Sequence, residues 1–329
     1  MRIVITGGHG FIGTRLAREL VARGHLSGRT IERLVLADLV EPEGHPFAGM
    51  PGVRTVPGDL ADTLPELFAE PVDAVFHLAS AVSAECERDL DLGLRVNLDA
   101  PRAALDAARR QHAAGGPLTT LVFSSSVAVY GSVPALPLPE VVSEATLPTP
   151  QSSYGAQKFA CEQLIADYTR RGHVDGRIAR LMTVAVRPGR PNAAASSFVS
   201  GIIREPLAGV VAPCPVGPDV RLAIASPGRA VAGLLALAEG PVVGRLPVNL
   251  PALTVTVGEM IAALRAVGGE AAAALVRPEP DPRIEAIVAS WPARFDNARA
   301  AALGLAPDPD VASIIRQYLA EHPDAVHLP

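Results

Sequence analysis

Along the first half of the chain, short apolar runs rich in β-branched residues alternate with segments whose apolar positions recur every three to four residues. The runs are RIVITG (2–7), RLVLAD (33–38), VRTVPGD (53–59), DAVFHLA (73–79) and TTLVFSSS (119–126). The helical segments among and after them span 13–23, 92–111 and 154–171. Strand, helix and strand in repetition predict right-handed crossovers and a parallel sheet. The runs are almost unbroken in their hydrophobicity, as strands must be when helices cover both faces of the sheet. The expected fold class is α/β, with a doubly wound parallel sheet.

Beyond about residue 177 the pattern loosens. RIARLMTVAVRPG reads as a further strand, RPNAAASSFVSGIIREPLAG as a loop and a helix, and VAPCPVGPDVRLAIASPG as short strands and turns. Helical periodicity returns at 257–267 and 310–321. Two parts are therefore expected: a dinucleotide-binding domain over 1–178, and a smaller, mainly substrate-binding C-terminal lobe over 179–329, some of whose segments return to the first sheet.

Composition narrows the partners. About half of the residues are hydrophobic and the net charge is −5, which gives no electrostatic reason to expect nucleic acid or an anionic membrane. No apolar run approaches the roughly eighteen residues of a membrane span, and MRIVITGG does not read as a signal peptide. Cys86, Cys161 and Cys214 are too widely spaced for a metal site or a disulfide framework. A cytoplasmic protein without a metal is expected.

The first strand runs into TGGHGFIG, where Gly7, Gly10 and Gly13 follow a predicted strand and open a predicted helix. That context suits a dinucleotide: a tight turn, close approach of backbone to pyrophosphate, and a helix N-terminus with unpaired N–H groups. Phe11 and Ile12 lie within the same loop. Asp38 ends the second strand, where a carboxylate accepts ribose hydroxyls and repels a 2′-phosphate, so NAD is favoured over NADP. Asp59 and Leu60, after the third strand, are candidates to flank the adenine. His9 is expected to turn its ring to solvent and His77 to pack under the sheet edge.

One residue type is conspicuous. Of 29 basic residues, 28 are arginine and one is Lys158, four places after Tyr154 in SSYGAQK. On a helix the two stand one turn apart on one face. A free tyrosine, with a pKa of about 10, is a poor base at neutral pH, and an adjacent ammonium favours the phenolate. A compact lysine also reaches a ribose more readily than a guanidinium does. Ser126, at the end of the fifth strand, would orient a substrate hydroxyl.

These segments, with HLAS (77–80), RVNLDAPRAAL (95–105) and FSSSVAVYG (123–131), resemble the extended short-chain dehydrogenase/reductases, the epimerase/dehydratase-like branch, over nearly the whole chain. The resemblance implies a Rossmann domain binding NAD, with Ser126, Tyr154 and Lys158 as catalytic residues. It also implies that Ala79, Ser80, Asn97 and Met182 lie along the cofactor; Met182 stands where the family has proline. Dehydratases of this branch carry acidic residues where this chain has Val127 and Ala128.

A narrower resemblance, to dehydrogenases of the D-erythronate type, rests on 186–209 and implies NAD-dependent oxidation of a four-carbon sugar acid to its 2-keto acid. Candidate substrate contacts are Ser83, Ser126, Tyr154, Thr183, Arg187, Asn192, Ser196 and Arg204; Arg190 and Ser197 are further ones. Two other readings stay open: a nucleotide-sugar epimerase of the same fold, and a non-catalytic NAD-sensing protein. A homodimer is expected, built on 92–111 and 154–171.

Overall fold

The structure, a computed structural model, describes residues 1–189, 194–241 and 246–327. Seven strands form the main sheet: β1 (Arg2–Thr6), β2 (Arg33–Asp38), β3 (Val53–Pro57), β4 (Ala74–His77), β5 (Thr120–Ser126), β6 (Asp175–Leu181) and, after a second small sheet begun by β7 (Thr183–Val184) and β8 (Arg221–Ala225), β9 (Val248–Asn249). The order across the main sheet is β9-β6-β5-β4-β1-β2-β3. β1 pairs in parallel with both β2 and β4, β2 with β3, and β4 with β5. The order reverses on either side of β1, so β1 and β4 flank the switch point beyond whose carboxyl ends ligands of such sheets bind. The second sheet joins β7 and β8 to the antiparallel β10 (Leu253–Thr256).

By contacts the chain divides into two units. The first comprises Met1–Val129, Ser152–Arg180 and Val231–Val248. Its helices include α1 (Phe11–Arg23), α2 (Leu60–Leu67), α3 (Ser83–Arg88), α4 (Ala100–Ala113) and α5 (Ser153–Arg170). Val4, Val35, Val75, Leu121 and Phe123 on the strands pack with Leu105 and Ala108 of α4 and Cys161 and Ile165 of α5 in one buried cluster. The second unit comprises Tyr130–Gln151, Leu181–Ala230 and Asn249–Pro329. Its core gathers Val199, Ile202 and Ile203 from α6 (Ser197–Leu207), which precedes α7 (Pro227–Glu239). They pack with Met260 and Leu264 of α8 (Val257–Ala273) and Ile314, Ile315 and Tyr318 of α9 (Val311–Glu321).

Two segments differ from the sequence expectation in informative ways. The helix expected over 92–111 is interrupted: Leu90–Leu94 leads into a π turn, Arg95–Asp99, before α4. π turns insert one extra residue and re-aim a side chain; here that side chain is Asn97. The helix α7 is not predicted by the pattern, because GRAVAGLLALA is a mostly apolar run, and such a run does not by itself tell helix from strand. Among the described residues, no helix is long and apolar enough to cross a membrane.

Candidate active site

The phosphate loop sits between β1 and α1. Gly7 has φ +69°, and a Cβ there would lie 2.8 Å from the backbone nitrogen of Ala79, so the loop touches the segment that follows β4. Gly13, inside the first turn of α1, packs directly on Gly7: a Cβ would lie 2.0 Å from the Gly7 carbonyl oxygen. Gly10 is the N-cap of α1, with no side-chain capping bond, and the first turn carries no acidic residue. Phe11 and Ile12 open the helix, Ile12 buried. A helix start with no side-chain cap offers an anion backbone N–H groups and a positive dipole end.

Asp38 closes β2. Its Oδ2 accepts from the His9 N–H at 2.9 Å and its Oδ1 from the Leu39 N–H at 2.8 Å, which leaves lone pairs on both oxygens. Asp59 caps α2, accepting from the Ala61 N–H at 2.9 Å, and Leu60 is that helix's first residue.

These features permit a direct check of the loop. Gly13→Ala is expected to lower stability by about 1–3 kcal/mol through overpacking against backbone that cannot yield. It should also weaken NAD binding by more than about tenfold, because the loop must open to relieve the contact. At Gly10 an added Cβ would meet the Gly7 oxygen at 3.2 Å, and Gly10→Ala should be milder in both respects. Urea unfolding and titration calorimetry on the two variants would measure this; equal effects would contradict it.

The second group of residues gathers at the end of β5 and the start of α5. Ser152 caps α5, accepting from the Gly155 N–H at 3.1 Å, and so fixes the turn that carries Tyr154. Lys158 is 1% exposed, yet α5 delivers its ammonium to the strand end. There Nζ donates to the Ser124 carbonyl at 2.9 Å, lies 4.8 Å from the centre of the Phe123 ring and 5.5 Å from that of Tyr154. Its other two N–H donors have no partner among the described residues. Ser126 Oγ accepts from the Ala128 N–H at 3.1 Å and keeps its own proton to donate.

Beneath them runs a buried ion pair. Glu162, one turn beyond Lys158, accepts from the Ser125 hydroxyl at 2.5 Å and from Arg180 at 2.8 Å (Nε) and 2.5 Å (Nη2). The Arg180 and Glu162 side chains are 2% and 1% exposed. Two adjacent residues of β5 are thereby tied to α5, one through Lys158 and one through Glu162. Neither Glu162 nor Arg180 was a sequence candidate; the available signal was a carboxylate on the apolar face of a helix, which requires a cation.

Asn97 is fully engaged by protein. Its Oδ1 accepts from Ser80 Oγ at 3.0 Å and the Ala81 N–H at 2.8 Å, and its Nδ2 donates to the Ala81 carbonyl at 3.1 Å and Gln157 Oε1 at 3.0 Å. It holds the Ala79–Ser80 segment against α5 rather than presenting its amide outward. Ser83 begins α3.

His77 belongs at the centre of the sheet, not under its edge: β4 lies between β1 and β5. The ring meets Thr6 Oγ1 at 3.1 Å and stacks on Phe123. Burial, with Lys158 as the second cause, holds its pKa down to about 3, so it stays neutral and moves no proton. Cys161 is pushed up to about 12 by burial and is inert. His9 also departs from expectation. Its Nε2 meets Thr55 Oγ1 at 3.2 Å and its ring packs edge-on against His45.

The remaining candidates lie in the second unit. Met182 is buried between β6 and β7, Thr183 begins β7, and Ser196 is the N-cap of α6. Arg204 is buried, with its guanidinium on Glu205 and on the Arg187 carbonyl at 2.7 Å. It is committed within the protein, because a buried arginine needs its donors matched. Arg187 is half-buried, its Nε 3.4 Å from the Val184 carbonyl. Arg190 and Asn192 lie outside the described residues. No group of three or more His, Cys, Asp or Glu side chains that could hold a metal occurs among the described residues.

A phosphate loop at a switch point, an acid closing β2 and a Tyr/Lys pair at the end of β5 define a dinucleotide-dependent protein of the doubly wound class. Residues 3–221 match the model of the NAD dependent epimerase/dehydratase family, and the chain belongs to that family. It is 50% identical to a D-erythronate dehydrogenase of Cupriavidus necator over 97% of this chain and 98% of that protein. It is 44% identical to a D-erythronate dehydrogenase of Haemophilus influenzae over 97% and 99%. A crystal structure described as the nucleoside-diphosphate-sugar epimerase from Agrobacterium tumefaciens superposes with a TM-score of 0.91 at 40% identity, covering 100% of this chain and 96% of that one.

The cofactor of the family is NAD, and the residues present fit it. Gly7 and Gly13 admit no Cβ, the start of α1 has no side-chain cap, Asp38 keeps acceptors for a diol, and the buried Lys158 ammonium has donors to spare.

Proposed function

We propose that the protein oxidises a small sugar acid with NAD, D-erythronate in the first place, giving 2-dehydro-D-erythronate. The observation that carries the reading is the Lys158 ammonium, buried at the end of β5 and 5.5 Å from the centre of the Tyr154 ring. The names and near-complete coverage of the two relatives support the substrate.

In this reading Gly7, Gly10, Phe11, Ile12 and Gly13 hold the pyrophosphate, Asp38 the adenosine ribose, and Asp59 and Leu60 the adenine side. Ala79, Ser80 and Met182 flank the nicotinamide half. Bound NAD supplies the hydride acceptor. Tyr154 takes the proton of the 2-hydroxyl, and the Lys158 charge stabilises the phenolate oxygen that must receive it. Ser126 Oγ, whose lone pair already accepts from Ala128, donates to the substrate oxygen and holds it in place. Buried Lys158 contributes the remaining donors to the nicotinamide ribose. Thr183, Arg187 and Ser196 are the substrate-side groups of the second unit, with Arg187 as partner for the carboxylate.

The test is NADH formation by purified protein given NAD and a panel of C4 to C6 sugar acids. Turnover of D-erythronate above the others supports the reading, and none on any sugar acid would sink it. The 40% identical structure described as a nucleotide-sugar epimerase favours one alternative. An epimerase returns the hydride to its substrate, so it would give product from a nucleotide sugar without accumulating NADH.

A homodimer is proposed through α4 and α5, where Phe159 of α5 remains partly exposed; a monomer by solution scattering would remove it. A reducing cytoplasm suits the three buried free thiols, and cell fractionation would check the compartment.

A further inference from the structure

Gly93 lies inside a helical turn, Leu90–Leu94, where glycine is less favourable than alanine. Its surroundings account for it: a Cβ there would stand 2.5 Å from Gln157 Nε2 and 3.1 Å from Gln157 Oε1. Gln157, one residue before Lys158 on α5, is 4% exposed, and its Nε2 has no partner among the described residues. An apolar side chain of the same length would fill that space without stranding a donor. The amide is therefore to be explained by its oxygen.

Gln157 Oε1 accepts from Asn97 Nδ2 at 3.0 Å. Asn97 has a second amide hydrogen for the Ala81 carbonyl at 3.1 Å, while its Oδ1 accepts from the Ala81 N–H at 2.8 Å and from Ser80 Oγ at 3.0 Å. The remaining neighbour of Nδ2, Cys86 Sγ at 3.1 Å, is a weak acceptor and does not replace an amide oxygen. Both backbone groups of Ala81 thus follow the Asn97 amide, and that amide is held by Gln157. At the other end of the segment, Thr6 Oγ1 accepts from the Ala79 N–H at 3.3 Å, and Ala79 lies against Gly7 of the phosphate loop. The stretch from Ala79 to Ala81 is fixed from two sides, by β1 and by α5.

We propose that Gln157 is a positioning residue for the nicotinamide half of NAD, acting through Asn97 on Ala79 and Ser80, and that Gly93 supplies the space it needs. The inference rests on the cofactor reading above and deepens it. In consequence α5 carries the Tyr154–Lys158 pair and also the anchor of the segment that flanks the ring.

Titration calorimetry of the full chain with NAD and with ADP-ribose, which lacks the nicotinamide ring, separates alignment from general loosening. The methyl of Gly93→Ala meets the far end of a flexible side chain, so the fold survives while the amide oxygen is driven off Asn97. NAD affinity is then expected to fall by about tenfold, and ADP-ribose affinity by less than about twofold. Gln157→Ala should do the same. In Gly93→Ala/Gln157→Ala the methyl enters the space that the amide has left, so NAD affinity should match that of Gln157→Ala instead of falling by the product of the two losses. With a sugar acid as substrate, kcat should fall alongside, and KM for the sugar acid should stay within about twofold. Urea unfolding would verify each fold; should Gln157→Ala fail to fold, Gln157→Met fills the space and carries the same expectation.

Equal losses for NAD and ADP-ribose would overturn the proposal, because the pair would then support only the fold. So would unchanged NAD affinity in Gln157→Ala, or multiplied losses in the double variant, since Gly93 would then act without Gln157. If the wild-type protein bound NAD but oxidised no sugar acid, the substrate reading would fall and the comparison of the two ligands would still decide this inference. If it bound no NAD, both would fall.

Discussion

Lys158→Met is expected to lower kcat by about 10²–10⁴, the usual contribution of an acid–base group and its support, while leaving the protein folded. The side chain is buried and has one acceptor, the Ser124 carbonyl, so an apolar side chain of similar length fills the space with little loss of packing. Function cannot be conserved in that way. The charge beside Tyr154 disappears, and with it the stabilisation of the phenolate oxygen and the two donors offered to the ribose. NAD should therefore bind more weakly as well.

Lys158→Arg separates charge from shape. It restores a cation, but a five-donor guanidinium leaves most of its donors unmatched at a buried site with a single carbonyl acceptor. Activity should remain within about tenfold of the methionine variant, because the chemistry asks for a compact ammonium. Near-normal turnover in Lys158→Arg would mean that the solitary lysine of this arginine-rich chain serves packing instead.

The fold class was legible because parallel strands covered on both faces are nearly unbroken apolar runs, as β1, β2 and β4 are; β3, at the edge of the sheet, buries only Val56. Among their helical partners α1 was legible because one face is polar; α5 has no such division, since Gln157, Lys158 and Glu162 lie on its buried side, and it read as a helix through its length and the one-turn spacing of Tyr154 and Lys158. The helix α7 escaped because most of its length is apolar, and a short apolar run does not by itself tell helix from strand, although Ser226, whose Oγ accepts from the Arg229 N–H at 3.1 Å, marks its start. The π turn at Arg95–Asp99 escaped because one inserted residue barely disturbs a period read over twenty.

Site residues divide along a similar line. The glycine loop and the Tyr154–Lys158 pair are local patterns, and local patterns can be read from a single chain. His9 was placed in solvent because its environment is supplied by Thr55 and His45, which lie 46 and 36 positions away. Arg204 read as a carboxylate ligand because its sequence neighbourhood does not reveal that the Arg187 carbonyl, 17 residues earlier, already accepts from it. Arginine is the default cation of this chain, and only packing distinguishes a structural guanidinium from one left for a ligand.

Arg180→Met is expected to be the most damaging single change to stability, at about 3–5 kcal/mol, the cost of leaving one partner of a buried ion pair alone. Against a typical total of about 5–15 kcal/mol, that loss would bring the midpoint of urea unfolding down by a large fraction. Glu162 would keep its bond from Ser125 but lose both guanidinium contacts, inside a region that water does not reach. Its nearest alternative cation along the helix is Lys158, one turn back on α5. An unpaired Glu162 that turned toward Lys158 would compete with Tyr154 for the ammonium, so kcat should fall further than the loss of stability explains.

Adding Glu162→Gln to Arg180→Met removes the stranded charge. The double variant should therefore regain both stability and turnover relative to Arg180→Met, although Glu162→Gln alone, which strands Arg180, is itself destabilising. A double-mutant cycle read in urea unfolding and in kcat measures both couplings. If Arg180→Met cost less than about 1 kcal/mol, or if the double variant were no more active than the single one, the pair would be an ordinary strut. Recovery of turnover together with stability would place it in the electrostatics of the site, insulating the one lysine from the nearest carboxylate.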